Sequence, residues 1–245
     1  MRYSILAGSL FGTQIRIHAT LLLLLAWVFL DEAMASTWEA AAHSVMFLVL
    51  VFGCVLSHEF GHVLAARHFG ILTPDILLLP IGGMAHLAKI PERPRQEICV
   101  ALAGPAVSAV LGATFWATTG FENLLLHRDP PEPEHFLTML SMVNFGLLVF
   151  NLLPAFPMDG GRVLRACLAL KFPYLQATEW AASIGQWIAL GLFAAGLMVP
   201  LPMLSVLAAF IYLSARRETQ AVSQRQSGQF GASPTPPPSG EERPG

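Results

Sequence analysis

The sequence predicts an all-α membrane protein of about six transmembrane helices, with a small β-hairpin or re-entrant element near the cytoplasmic face. Three observations carry this. Hydrophobic residues make up 54% of the 245 residues and charged residues only 12%, against about 25% charged in an ordinary globular domain. The apolar residues fall in runs, at 17–30, 45–56, 139–153 and 184–213, that hold no Asp, Glu, Lys or Arg. Basic residues then alternate between successive connections, as expected of a chain threaded through a bilayer.

Six segments follow in order, at about 17–35, 43–66, 97–119, 137–158, 178–199 and 202–214. The first has a charge-free core at 17–30 that reaches roughly 21 Å as a helix, short of a ~30 Å hydrocarbon layer, so it must extend past Asp31 and Glu32 or the bilayer must thin. Pro200 and Pro202 divide the last apolar stretch into a hairpin of two segments, because each proline removes a backbone hydrogen bond. Residues 71–90, ILTPDILLLPIGGMAHLAKI, are apolar but broken by Pro74, Pro80, Gly82 and Gly83. A β-hairpin or re-entrant loop packed on the bundle suits them better than a spanning helix. Residues 1–217 form the membrane domain in this reading. The Pro/Gly/Ser-rich tail at 218–245 is expected to be disordered and cytoplasmic.

Orientation comes from the basic residues. Arg2 and Arg16 precede the first segment, and the next connection carries Asp31, Glu32 and Glu39 without a Lys or Arg. Arg67, Lys89, Arg93 and Arg95 follow the second segment; a single Arg128 stands among acids after the third; Arg162, Arg165 and Lys171 follow the fourth; Arg216 and Arg217 follow the sixth. Both termini are therefore expected in the cytoplasm of a multi-pass protein of the cell membrane. Other classes recede. A net charge of −2 with no basic stripe argues against a nucleic-acid partner. Cys54, Cys99 and Cys167 are too scattered for a disulfide framework. The polar, Gly-containing stretch 1–16 does not read as a cleavable signal peptide.

The sharpest chemical signal is Ser57-His58-Glu59-Phe60-Gly61-His62 inside the second segment. Helical residues four apart share a face, so His58 and His62 can reach one zinc ion while Glu59 sits beside its water as the catalytic base. Three ionisable groups in an apolar helix are costly and point to function. A catalytic zinc needs a further protein ligand and an open position. Of four aspartates, only Asp159 adjoins a membrane segment at the right depth, in Asn151-Leu-Leu-Pro154-Ala-Phe-Pro157-Met-Asp159-Gly160-Gly161. His62 lies five residues from Arg67 and Asp159 three from Arg162, which puts both within ~8 Å of the cytoplasmic face. A zinc transporter also uses such motifs, but needs ligands reaching both faces, and here the polar residues gather at one level. An inactive metal-bound scaffold has no use for Glu59. Gly82 and Gly83 either free an edge strand for pairing with substrate or form a plain turn.

HEFGH in a membrane helix followed by NLLPAFPMDGG resembles the site-2 proteases, intramembrane zinc metalloproteases of regulated intramembrane proteolysis (peptidase M50). FGTQIRIHATLLLLL looks like the family's N-terminal strand and first helix, LLLPIGGMAHL like its Gly-rich loop, and ALAGPAVS like the start of its third helix, so the resemblance covers nearly all of 1–217. It implies one Zn2+ per chain held by His58, His62 and Asp159, Glu59 as the base, and Asn151 on the substrate backbone or developing oxyanion. The implied partner is a single-pass or membrane-anchored protein substrate in the lipid bilayer. The sporulation-type branch often adds a CBS domain and another branch inserts PDZ domains; neither is expected here. Cys54, one turn before His58, reads as packing. His18 matches the family pattern at the first helix but reads as an interfacial hydrogen-bonder, and His86 as a loop histidine away from the metal.

Overall fold

The computed structural model describes residues 3–86, 93–119, 132–199 and 201–231. Chain order is β1 (Ser4–Leu10), β2 (Thr13–His18), α1 (Ala19–Ala35), α2 (Trp38–His68), β3 (Asp75–Leu79) and β4 (Gly82–His86), followed by α3 (Pro94–Thr119), α4 (Glu132–Asn151), α5 (Asp159–Ala169), α6 (Tyr174–Met198) and α7 (Pro202–Gly231). The fold is mostly helical, with one four-stranded sheet in the order β1-β2-β3-β4.

Local chemistry accounts for the boundaries. The His18 side chain accepts from Thr20 N at 3.3 Å and caps α1; Thr37 Oγ1 accepts from Ala40 N at 3.2 Å and caps α2. Among the described residues, three helices are long and apolar enough to cross a membrane: α2, α3 and α6. Large apolar side chains on the helices remain exposed, among them Leu23, Trp27, Val110 and Trp187, as a surface solvated by lipid requires. The fourth expected segment ends early. Helix α4 stops at Asn151, and residues 152–158 are irregular, because Pro154 and Pro157 cannot continue the backbone ladder. A separate helix, α5, then begins at Asp159.

The final helix departs from expectation too. It runs on to Gly231, through the first part of the stretch read as a disordered tail. Tertiary partners explain this: Arg165 Nη1 donates to Glu218 Oε1 at 2.5 Å, and Val222 is buried. Residues 232–245 lie outside the described residues.

Residues 75–86 form a hairpin that joins a larger sheet. Strand β3 pairs antiparallel with β4, and parallel with β2, which in turn pairs antiparallel with β1. Strand β3 alternates as a half-buried strand should, burying Ile76 and Leu78 against Leu21 of α1 and Phe60 and Val63 of α2. Arg67 at the end of α2 donates to the Phe11 carbonyl at 2.6 Å, tying the β1–β2 turn to the helix that carries the motif. Among the described residues β4 ends the sheet, and its outer edge faces α2. Helix α3 packs against α2, α4 and α5, and α6 against α5 and α7.

Candidate metal centre

His58 and His62 lie one turn apart on α2 and are both buried. Asp159, the first residue of α5, is buried opposite them. The two Nε2 atoms are 3.2 Å apart, and Asp159 Oδ2 lies 3.4 Å from His58 Nε2 and 3.2 Å from His62 Nε2. Four ligands about 2.0–2.1 Å from a tetrahedral zinc stand roughly 3.3 Å from one another. The triangle of donor atoms thus has the dimensions of one face of that tetrahedron, and its two nitrogens and one carboxylate oxygen suit zinc.

The opposite ring nitrogens are also engaged. His62 Nδ1 is 2.7 Å from the Val100 carbonyl, so it carries the hydrogen and leaves the Nε2 lone pair facing Asp159. His58 Nδ1 lies 2.9 Å from Ser108 Oγ. Gly104 sits between these two contacts. A Cβ there would stand 2.7 Å from His58 Nε2 and overlap His62 Nε2, so only glycine keeps the space between the donor atoms clear. These α3 contributions were not singled out from the sequence, although ALAGPAVS contains both Gly104 and Ser108.

A cavity of about 280 Å3 opens beside the donor atoms. Glu59, Gly82, Gly83, Asn151, Arg162 and Phe210 line it together with His58, His62 and Asp159. Glu59 Oε2 accepts from Ala85 N on β4 at 3.3 Å. Gly83 crosses so close to that side chain that an added Cβ would come within 2.6 Å of Glu59 Cγ. Gly82 holds φ +134 where β4 begins. Asn151 Nδ2 donates to Leu147 O at 3.0 Å, which leaves its second N–H uncommitted to that bond. The minor candidates fall elsewhere. Cys54 is buried outside the cavity, His18 caps α1, and the side chain of His86 lies outside the described residues.

Helix α5 is held by a buried ionic cluster. Arg165, 1% exposed, donates from Nε to Glu97 Oε1 of α3 at 2.8 Å and also from Nη2 to that oxygen. It donates to Glu218 of α7 as well, and its guanidinium stands over the Phe156 and Tyr174 rings, 5.0 Å from each centroid. Arg165 lies six positions after Asp159 on the same helix, so this cluster anchors the helix that presents the carboxylate.

Comparison with known proteins identifies the family. Residues 46–124 and 130–192 match Peptidase family M50. The chain belongs to that family. This M50 chain is 37% identical over 224 residues to Zinc metalloprotease MJ0392 of Methanocaldococcus jannaschii, covering 91% of itself and 62% of that protein. It is 31% identical over 124 residues to Stage IV sporulation protein FB of Bacillus subtilis, covering 50% of itself and 40% of that protein. The chain therefore spans less than two thirds of the length of these relatives. Its fold is similar to a solved structure of the Site-2 Protease from Methanocaldococcus jannaschii, with a TM-score of 0.62 and 35% identity over 89% of this chain and 95% of that one. Membership in a family of zinc metalloproteases accords with a His, His, Asp donor set.

Proposed function

We propose that this M50 chain is an intramembrane zinc endopeptidase that hydrolyses a peptide bond in or near the membrane segment of a single-pass or membrane-anchored protein. The observation that carries the reading is the triangle of His58, His62 and Asp159 donor atoms, with edges of 3.2–3.4 Å, beside a cavity that Glu59 also lines. In it, the three residues hold one zinc ion per chain. Zinc bound there supplies a Lewis acid that acidifies water and polarises a carbonyl.

The residues of the chain do the rest. Glu59 accepts a proton at its carboxylate from the attacking water and passes it to the leaving nitrogen. Water oxygen bonds to the carbonyl carbon, the C–N bond breaks, and an acid and an amine result. Asn151 donates its second Nδ2 hydrogen to the carbonyl oxygen as negative charge develops. The outer edge of β4, with Gly82 and Gly83, pairs with the locally unwound substrate as an added strand. Ala85 N points outward to Glu59, and the two-residue period of a strand points the Gly83 backbone the same way. Unwinding in hydrocarbon exposes backbone groups at several kcal/mol each, which such pairing offsets.

The membrane arrangement belongs to this reading. Six spans, both termini in the cytoplasm and residence in the cell membrane are supported by the alternation of basic residues along the sequence and by α2, α3 and α6 being long enough to span. Cleavage of a labelled membrane peptide and zinc flux, measured in the same proteoliposomes, test it. Cleavage without flux is expected; flux without cleavage would replace the protease with a transporter.

A further inference from the structure

We infer that Ser108 is a positioning residue for the metal centre, holding His58 in the one ring orientation that turns Nε2 toward Asp159. The inference rests on the zinc reading above. Helix α3 carries Val100, Gly104 and Ser108 four residues apart, so all three lie on one face, and that face meets the two histidines of α2 in order. The Val100 carbonyl takes His62 Nδ1 at 2.7 Å. Gly104 leaves the space at both Nε2 atoms clear. Ser108 Oγ meets His58 Nδ1 at 2.9 Å.

The two outer contacts differ in kind. His62 is held by a main-chain carbonyl, which any residue at position 100 provides. His58 is held by a side-chain hydroxyl, which few residues at position 108 provide. Ser108 is 0% exposed, so bulk solvent does not reach its oxygen. With Nε2 turned to the metal, the Nδ1 hydrogen of His58 goes to Ser108 Oγ, fixing both tautomer and ring plane. Without that acceptor, His58 would carry a buried unpaired N–H whenever it presents Nε2. The ring would then turn away or take the other tautomer, and the donor triangle would lose a corner. Ser108 therefore acts through His58 and need not touch substrate.

Purified full-length protein in detergent tests this with zinc itself as the probe. Zn2+ affinity is read by chelator competition for wild type, Ser108→Ala and Val100→Ala, with thermal melts of the metal-free proteins alongside. Ser108→Ala should bind Zn2+ about 10–100-fold more weakly while melting like wild type. Val100→Ala should keep its affinity, because the carbonyl remains. Loaded with Co2+, Ser108→Ala should show a shifted visible absorption band and Val100→Ala an unshifted one. Equal affinities for Ser108→Ala and wild type, an unfolded metal-free Ser108→Ala, or matching losses in both variants would each overturn the assignment. Wild type that binds no Zn2+ would overturn the zinc reading along with it, whereas a zinc-binding wild type with an unaffected Ser108→Ala overturns the positioning role alone.

Discussion

Gly83 on β4 and Glu59 on α2 are packed so closely that a single added methyl would stand 2.6 Å from Glu59 Cγ and 3.2 Å from its Cδ and Oε1. The edge strand thus sets the position of the carboxylate as well as facing the cavity. Gly83→Val should displace Glu59 and cost on the order of 10²-fold or more in cleavage, the scale of general-base catalysis. Zinc content should stay at the wild-type level, since the three atoms nearest the added carbon all belong to Glu59 and none to a donor residue. Metal analysis beside a cleavage assay checks both halves.

Removing a donor has the opposite signature. Asp159→Ala or His58→Ala opens one edge of the triangle of donor atoms, and purified protein should lose zinc and cleavage together. Retention of a full equivalent of zinc by Asp159→Ala would show that the ion sits elsewhere.

Asn151 is expected to act on the transition state. Its loss in Asn151→Ala should lower kcat by on the order of 10²-fold, about 3 kcal/mol for one oxyanion donor, with KM little changed. A rise in KM at constant kcat would instead assign Asn151 to ground-state binding.

The Arg165 cluster sets a stability prediction. Arg165→Met leaves Glu97, 3% exposed, without its guanidinium and should destabilise the protein by about 3–5 kcal/mol. Adding Glu97→Leu removes the stranded charge and should restore much of the loss in a thermal melt. The same cluster separates two truncations. Ending the chain after Gly231 should be neutral, while ending it after Arg217 removes Glu218 and the buried Val222 and should lower thermal stability.

Much of this site was legible in the sequence because its key relationships are local or rare. His58 and His62 share a helix face by spacing alone, although their Nε2 separation of 3.2 Å also needs the ring orientations that α3 sets. Asp159 stood out because aspartates are few and Pro154 and Pro157 break the chain just before it. What escaped depends on long-range contacts. The continuation of α7 past Arg217 is anchored by Arg165, 53 residues away in sequence, and nothing in a polar, Gln-rich stretch announces such a partner. Helix α5 follows a Pro- and Gly-rich segment that reads as loop. Ser108 looks like any small residue in an apolar helix until α3 is laid against α2. Gly83 reads either as an opening for substrate or as part of a plain turn, and the structure shows a separate reason for a glycine there, the closeness of Glu59.

The central claim is that Glu59 drives hydrolysis at a zinc centre near the cytoplasmic level of the membrane. Mass-spectrometric mapping of products from one membrane-embedded substrate, incubated with wild type and with Glu59→Gln, tests it most directly. The account predicts a single cut in the cytoplasm-proximal part of the substrate segment by wild type, and none by Glu59→Gln although that variant still holds zinc. Substantial cleavage by Glu59→Gln, or a cut at the outer end of the segment, would contradict it.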